Sequence, residues 1–228
     1  MGRCACGGGG RMVPYFHAFL GPGYRLDHMP LLLSQRPGAE GFHLHGGPMD
    51  SKGNPDFFLQ YRVQQGTVRT TLLAAAIQLT DVGPGDGGFC VLKGSHKANF
   101  KVPASIEHGL HGAAGGLLHQ PVTQAGDVVL WSEATTHGSL ARAKGTGERR
   151  TALYRFAPAG SAYARSYAPA WPAAMLEGLS EGERAVMEPP YNVRLDRPFI
   201  TGDGTVERNS RADKKKAFDK TVFKSTYF

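Results

Sequence analysis

Cysteine is scarce in this 228-residue chain: there are three, and two of them, Cys4 and Cys6, share its glycine-rich first ten residues. So few thiols exclude a disulfide framework and favour a reducing compartment, and Cys4-x-Cys6 has no partner pair with which to build a zinc site. Any apolar run near the roughly 20 residues needed to cross a bilayer is also missing, so no membrane association is expected. No charged-then-apolar secretory signal opens the chain, and a cytoplasmic protein is expected. Gly2 with Cys4 and Cys6 only faintly resembles a lipidation signal, because Cys6 stands where myristoylation prefers Ser or Thr. The net charge is +7, and residues 206–228 hold seven Lys/Arg against three Asp/Glu. No recognition module accompanies that charge, so Lys214-Lys215-Lys216 reads as a solvated tail and nucleic acid is not an expected partner.

Glycine and proline, by contrast, are plentiful, at 31 and 15 residues, and favour a turn-rich β architecture over a helical bundle. Gln60–Gln65, Val68–Leu79, Phe89–Leu92, Asp127–Trp131 and Thr151–Phe156 read as strands, punctuated by turns such as Gly83-Pro84-Gly85-Asp86-Gly87-Gly88. Residues 98–120 form an excursion carrying His108, His111 and His119, read as a surface insertion. Ala173–Glu188 has helical spacing, with Ser180 and Glu183 as a capping box. Short strands between glycine turns suggest an antiparallel sandwich or jelly roll with a helical C-terminal appendix. The expected organisation is a disordered leader over 1–11, a jelly-roll domain over 12–170, a helical extension over 171–200 and a basic tail over 201–228.

The chemistry-bearing pattern is His45-Gly46-Gly47, then His137, then Arg149-Arg150-Thr151. Two histidines so far apart meet only if the chain between them folds into sheet. A site of two histidines and a carboxylate leaves room on Fe(II) for a bidentate cosubstrate and dioxygen. A guanidinium on the next strand, from Arg149 or Arg150, would pair with the far carboxylate of that cosubstrate, and the Thr151 hydroxyl would join it. Gln60, Tyr61 and Arg62 are candidates for the cavity wall, with packing an equal alternative. Each residue alone has a plainer reading, as a satisfied core histidine or a solvated charge.

Four stretches resemble the phytanoyl-CoA dioxygenase family of Fe(II)/2-oxoglutarate oxygenases. They are Leu44-His45-Gly46-Gly47; the segment Gly87 to Lys97 with its Gly94-Ser95-His96; Ala125-Gly126-Asp127 through Thr136-His137-Gly138-Ser139; and Arg149-Arg150-Thr151-Ala152-Leu153-Tyr154. The resemblance covers about residues 22–160 and implies a double-stranded β-helix, Fe(II) and 2-oxoglutarate. It makes His45 and His137 the iron-binding histidines, Arg149 the 2-oxoglutarate anchor and His96 a structural histidine. Its implied activity is hydroxylation of a C–H bond in a small-molecule or lipid-like substrate. One departure stands out: the family's His-x-Asp reads His45-x-Gly47 here. Asp50 is one candidate for the missing carboxylate. A second reading leaves the position open for chloride, as in related iron halogenases, and a third uses His43 for a three-histidine site of cupin type. A binding domain of the same fold without activity is the fourth. The substrate's identity and the oligomeric state leave no mark in the sequence.

Overall fold

A computed structural model describes residues 10–27, 29–107, 115–164, 171–191 and 197–224. Most of the expected leader lies outside these residues, as do His108 and His111. The chain divides into two compact units, one of residues 28–155 and one combining residues 1–27 with 156–228.

The second of these units begins with helix α1 (Val13–Leu20), which buries Val13, Phe16 and Leu20. Pro14 sits in its first turn, where a missing N–H leaves no helical bond unmade. The two-residue strand β1 (Arg25–Leu26) follows. The rings of Phe16, Tyr24 and Phe156 pack at centroid distances of 4.4–6.3 Å. Beside them the fully buried Arg25 and Asp27 pair at 2.7 Å, and Asp27 also accepts from the Tyr163 and Ala164 N–H groups. Such a pair tolerates burial because its remaining lone pairs are satisfied.

The larger unit holds two antiparallel sheets. Its strands are β2 (Leu31–Gln35), β3 (Phe42–His45), β4 (Tyr61–Gln64), β5 (Thr67–Thr70), β6 (Leu73–Gln78), β7 (Gly88–Leu92), β8 (Leu118–His119), β9 (Val128–Ser132), β10 (His137–Leu140) and most of β11 (Arg149–Ala157), with a short helix α2 (Ala104–Glu107). One sheet runs β2-β11-β6-β9 and the other β3-β10-β7-β8. Ala74, Ala76, Trp131 and Leu153 form a buried cluster on the first, with Phe89 of the second packed against it. Residues of both sheets line one cavity, which is the double-stranded β-helix that the turn-rich sequence leads one to expect. The last two residues of β11 pair with β1.

Strand β11 shows how alternation builds the interior. Arg149, Thr151 and Leu153 are buried while Arg150 between them is exposed, as a period of two requires. Along its first half, β11 pairs with β2 from Arg149↔Gln35 to Leu153↔Leu31.

Several elements differ from expectation. Val68–Leu79 is not one strand: β5 closes a hairpin with β4 and the chain breaks at Thr71-Leu72 before β6. Thr71 turns back there, its hydroxyl donating to the Phe58 carbonyl and its N–H to the Gln60 carbonyl. Gln60, Tyr61 and Arg62 belong to this hairpin region, and none of them borders the cavity. The helix expected over Ala173–Glu188 is two, α3 (Ala173–Leu176) and α4 (Glu181–Val186). The Ser180/Glu183 capping box is present, but an N-cap residue has extended backbone, so it starts α4 and thereby interrupts the run. The basic C-terminal stretch contains a hairpin of β12 (Pro198–Ile200) with β13 (Val206–Arg208) and helix α5 (Asp213–Phe223), on which Lys214 and Lys215 are exposed.

Cys90 lies fully buried on β7, and burial pushes its thiol up to about 11. The thiolate is the reactive form. Peptide mapping after treatment of the folded protein with a thiol-specific reagent at neutral pH is therefore expected to leave Cys90 unmodified, and to find it modified once the chain is unfolded.

Candidate metal centre and cosubstrate cavity

Strand β3 ends at His45 and β10 begins at His137, and the antiparallel register sets these two residues directly opposite each other. Their rings stand 4.2 Å apart between centroids. A separation of 92 positions in the chain thus becomes contact between two imidazoles.

Both rings are oriented the same way. The Nδ1 of His137 lies 2.8 Å from the Thr135 carbonyl, and that of His45 lies 3.2 Å from the His43 carbonyl. A carbonyl only accepts, so each Nδ1 carries the hydrogen and each Nε2 keeps its lone pair. Metal-binding histidines are oriented by such bonds. Burial holds His137 below the ordinary histidine range, against the opposing pull of nearby Glu133. The neutral imidazole, the form that binds a metal, is favoured.

The sequence reading did not single out two residues near His137: Glu133, in the turn between β9 and β10, and Trp131, on β9. Glu133 is buried, and its Oε2 lies 3.6 Å from the Nε2 of His137. Its other oxygen accepts from the Arg155 Nε at 2.6 Å. Trp131 stands 5.4 Å from His137 and Phe89 5.9 Å, ring to ring. The Trp131 indole N–H is buried with no hydrogen-bond partner among the described residues. The sequence shows Trp131 only as the end of an apolar strand.

Ser95, from the Gly94-Ser95-His96 segment, braces this arrangement. Its hydroxyl donates to the Leu92 carbonyl at 2.7 Å and accepts from the Thr136 N–H at 2.8 Å, one residue before His137. His96 packs edge-on to Tyr61 at 4.5 Å, away from the cavity.

The residues after His45 come within van der Waals reach of the site. Gly46 and Gly47 have φ of +73° and +102°, and the Gly47 N–H donates to the Glu133 carbonyl. A Cβ on Gly46 would lie 2.8 Å from that carbonyl oxygen and 3.0 Å from the His137 ring. A Cβ on Gly47 would lie 2.9 Å from the Thr136 hydroxyl. The family's aspartate is thus disfavoured at 47 by backbone conformation, and its Cβ would also require the Thr136 hydroxyl to shift. Asp50 is committed elsewhere: its Oδ1 accepts from the Lys52 and Asn54 N–H groups, both at 2.8 Å. These bonds, the Asn54 one foremost, hold its carboxyl below the usual range. The structure brings His45 and His137 together but leaves Asp50 tied into its own loop. His43 lies 6.2 Å from His45 between ring centroids, and His119 is exposed on β8. Among the described residues, no three His, Cys, Asp or Glu side chains already stand in the geometry of a metal site.

The two imidazoles open on a cavity of about 450 Å³ that extends between the sheets to Arg149 and Thr151. Arg149 is buried, at 6 % exposure, and its guanidinium lowers its own pKa through desolvation first and through the neighbouring Arg142 second. Arg142 is bound by the Gly147 and Asp86 carbonyls, whereas no hydrogen bond or ion pair engages the Arg149 guanidinium among the described residues. Thr151 is fully buried and its hydroxyl donates to the Gln78 side-chain carbonyl at 3.1 Å. Its proton is already used by that bond.

Residues 54–151 match the family model "Phytanoyl-CoA dioxygenase (PhyH)". This stretch is phytanoyl-CoA dioxygenase-like. The match takes in Glu133, His137, Arg149 and Thr151 but begins after His45 and Asp50. Among solved structures, the chain is similar to HygX from Streptomyces hygroscopicus. The form with nickel and 2-oxoglutarate bound is 24% identical with a TM-score of 0.58, covering 74% of this chain and 69% of that one. The form with nickel, 2-oxoglutarate and hygromycin B is 23% identical with a TM-score of 0.56, covering 65% and 61%. An iron-bound form is 24% identical with a TM-score of 0.54, covering 65% and 64%. The chain therefore spans about three-fifths to two-thirds of the length of HygX, and at this identity the likeness concerns the fold. No curated protein sequence matches. No helix among the described residues is long and apolar enough to cross a membrane.

Two outcomes follow from the local packing. Ser95→Ala leaves the Thr136 N–H buried and unbonded, and is expected to lower stability by about 1–3 kcal/mol in a denaturant titration. Gly47→Asp, which writes the family's residue back into the chain, is expected to cost about 1–3 kcal/mol of stability by the same measurement, with no gain in affinity for a divalent metal.

Proposed function

We propose that the chain is a non-haem Fe(II)/2-oxoglutarate-dependent oxygenase that hydroxylates a C–H bond of a small molecule. The observation that carries this reading is the buried Arg149 guanidinium. It has no described acceptor of its own and borders the same cavity as two imidazoles whose Nε2 lone pairs are free to bind metal. A desolvated cation without a partner is costly, and a dicarboxylate between it and the imidazoles would relieve that cost. The donor chemistry fits iron: imidazole and carboxylate are ligands of non-haem Fe(II) sites.

His45 and His137 would hold the iron, with the Thr135 and His43 carbonyls fixing the two rings. Arg149 would grip the distal carboxylate of 2-oxoglutarate through paired N–H donors. Thr151, its proton held by Gln78, would shape that end of the cavity and keep Gln78 in place. Phe89, Trp131 and Leu153 form apolar walls that exclude water and raise the strength of each charge contact inside. Bound iron with 2-oxoglutarate would supply the oxidising chemistry, dividing dioxygen so that one oxygen atom leaves in succinate, with CO2, and the other enters the substrate C–H bond as a hydroxyl. A small-molecule substrate is supported by the cavity's size and by the hygromycin B held in one HygX structure.

Anaerobic addition of Fe(II) and 2-oxoglutarate is expected to give the weak visible charge-transfer band of a chelated keto acid. Arg149→Gln is expected to weaken 2-oxoglutarate binding by about 2–5 kcal/mol, roughly thirtyfold or more in Kd, with the fold intact by circular dichroism. A folded wild-type protein that gives no band and releases no succinate is a binding domain of this fold, and the enzymatic reading then fails.

A further inference from the structure

The family's carboxylate is absent at position 47, where the backbone conformation disfavours a side chain, and another carboxylate lies near by. The Gly46-Gly47 bend rests on the backbone of Glu133: the Gly47 N–H bonds the Glu133 carbonyl at 3.1 Å. The side chain of that same residue turns to the neighbouring histidine. Its Oε2 is 3.6 Å from the His137 Nε2, with the two side chains only 6 % and 5 % exposed. Since the Nδ1 of His137 is bound to Thr135, Glu133 faces the nitrogen that a metal would use.

We propose that Glu133 is the carboxylate ligand of this site, completing with His45 and His137 the set that Gly47 leaves unfinished; the proposal rests on the iron reading above. Metal bonds of about 2.0–2.2 Å put two ligand atoms roughly 3 Å apart when they meet at a right angle. The 3.6 Å separation of Glu133 and His137 needs only a small side-chain rotation to reach that spacing. The three donors do not converge in the structure as it stands, so the metal itself would have to draw Glu133 in beside the two imidazoles, whose rings lie 4.2 Å apart between centroids. Arg155 is the positioning residue. It holds Oε1 at 2.6 Å and so leaves Oε2 as the oxygen for the metal, in the manner of the outer partners that orient metal-binding carboxylates. The ligand has moved from the residue two places after the first histidine to the residue four places before the second. The turn of β9 into β10 carries it.

The alternatives predict different behaviour. If the position is open to chloride, chloride should perturb the metal spectrum of the wild-type protein. If Asp50 swings in, Asp50→Asn should weaken the metal.

The test uses the whole chain and Co(II), an air-stable probe whose visible spectrum reports its ligands, titrated with and without 2-oxoglutarate. Glu133→Gln preserves the side chain's size and a hydrogen-bonding oxygen for Arg155. It is expected to weaken Co(II) at least as much as loss of an outer partner does, about tenfold to a hundredfold, and to change the spectrum, while thermal unfolding without metal shows the fold retained. Asp50→Asn is expected to leave Co(II) affinity within twofold. Chloride is expected to leave the wild-type spectrum alone and to shift that of Glu133→Ala, in which the position is vacated. Equal Co(II) affinity and spectrum for wild type and folded Glu133→Gln would overturn the assignment while leaving the iron reading intact. So would a loss on Asp50→Asn, or a chloride response in the wild type. Should Glu133→Gln not fold, the chloride and Asp50→Asn arms decide alone. Wild-type protein that binds no Co(II) at all would remove the iron reading and this assignment together.

Discussion

Everything about this site depends on one register, that of β10 against β3. Antiparallel pairing places residues directly opposite one another, and a slip of a single position moves every side chain to the other face. With His137 opposite His45, two residues distant in the chain share one pocket wall. On its other side β10 pairs with β7 from His137↔Val91 to Leu140↔Gly88, so the strand carrying the buried histidine is held on both edges. Ser95 then fixes the backbone just before it. The site is thus anchored in the sheet ladder, with Gly46-Gly47 as the one loop segment pressed against it.

How much of this could be read from residues alone follows from which physics set each part. The inward face of β11 obeys a period of two, so Arg149 and Thr151 were legible as neighbours facing one interior, with Arg150 outside. The meeting of His45 and His137 was legible only through the resemblance, because nothing local in either strand specifies its partner. Glu133 was not legible at all. It sits in a turn, where neither strand nor helix spacing applies, and its approach to His137 depends on how Ser132–Thr135 bends: the Thr135 N–H closes on the Ser132 carbonyl. Asp50 was the natural guess from sequence proximity to Gly47, yet an aspartate two residues before Lys52 and four before Asn54 readily folds onto their N–H groups. The same reasoning explains the split helix, where a capping box inside an apolar period is a start signal that outranks the period.

The glycine pair deserves a physical reading beyond a turn. Positive φ at both residues, the Gly47 N–H bond to the Glu133 carbonyl, and the lack of room for a Cβ on Gly46 against that carbonyl and the His137 ring show the loop packed onto the β9–β10 turn. A side chain at 47 would press on the Thr136 hydroxyl, one residue before His137.

Charge balance in the cavity carries the argument further. Arg149 borders it, desolvated and with Arg142 as its neighbour; behind the lining residues Arg155 and His137, Glu133 is shared by both. Without cosubstrate, the Arg149 end holds a positive charge that no described side chain neutralises. Any ligand that brings a carboxylate to Arg149 binds the folded chain and not the unfolded one, so it must raise stability by mass action. The same logic orders the two ligands. A metal entering at the histidines adds positive charge to a cavity that already has an unbalanced cation, and a dianionic cosubstrate spanning both ends compensates the two at once. Metal and 2-oxoglutarate should therefore each tighten the other's binding, by equal factors, as linkage demands.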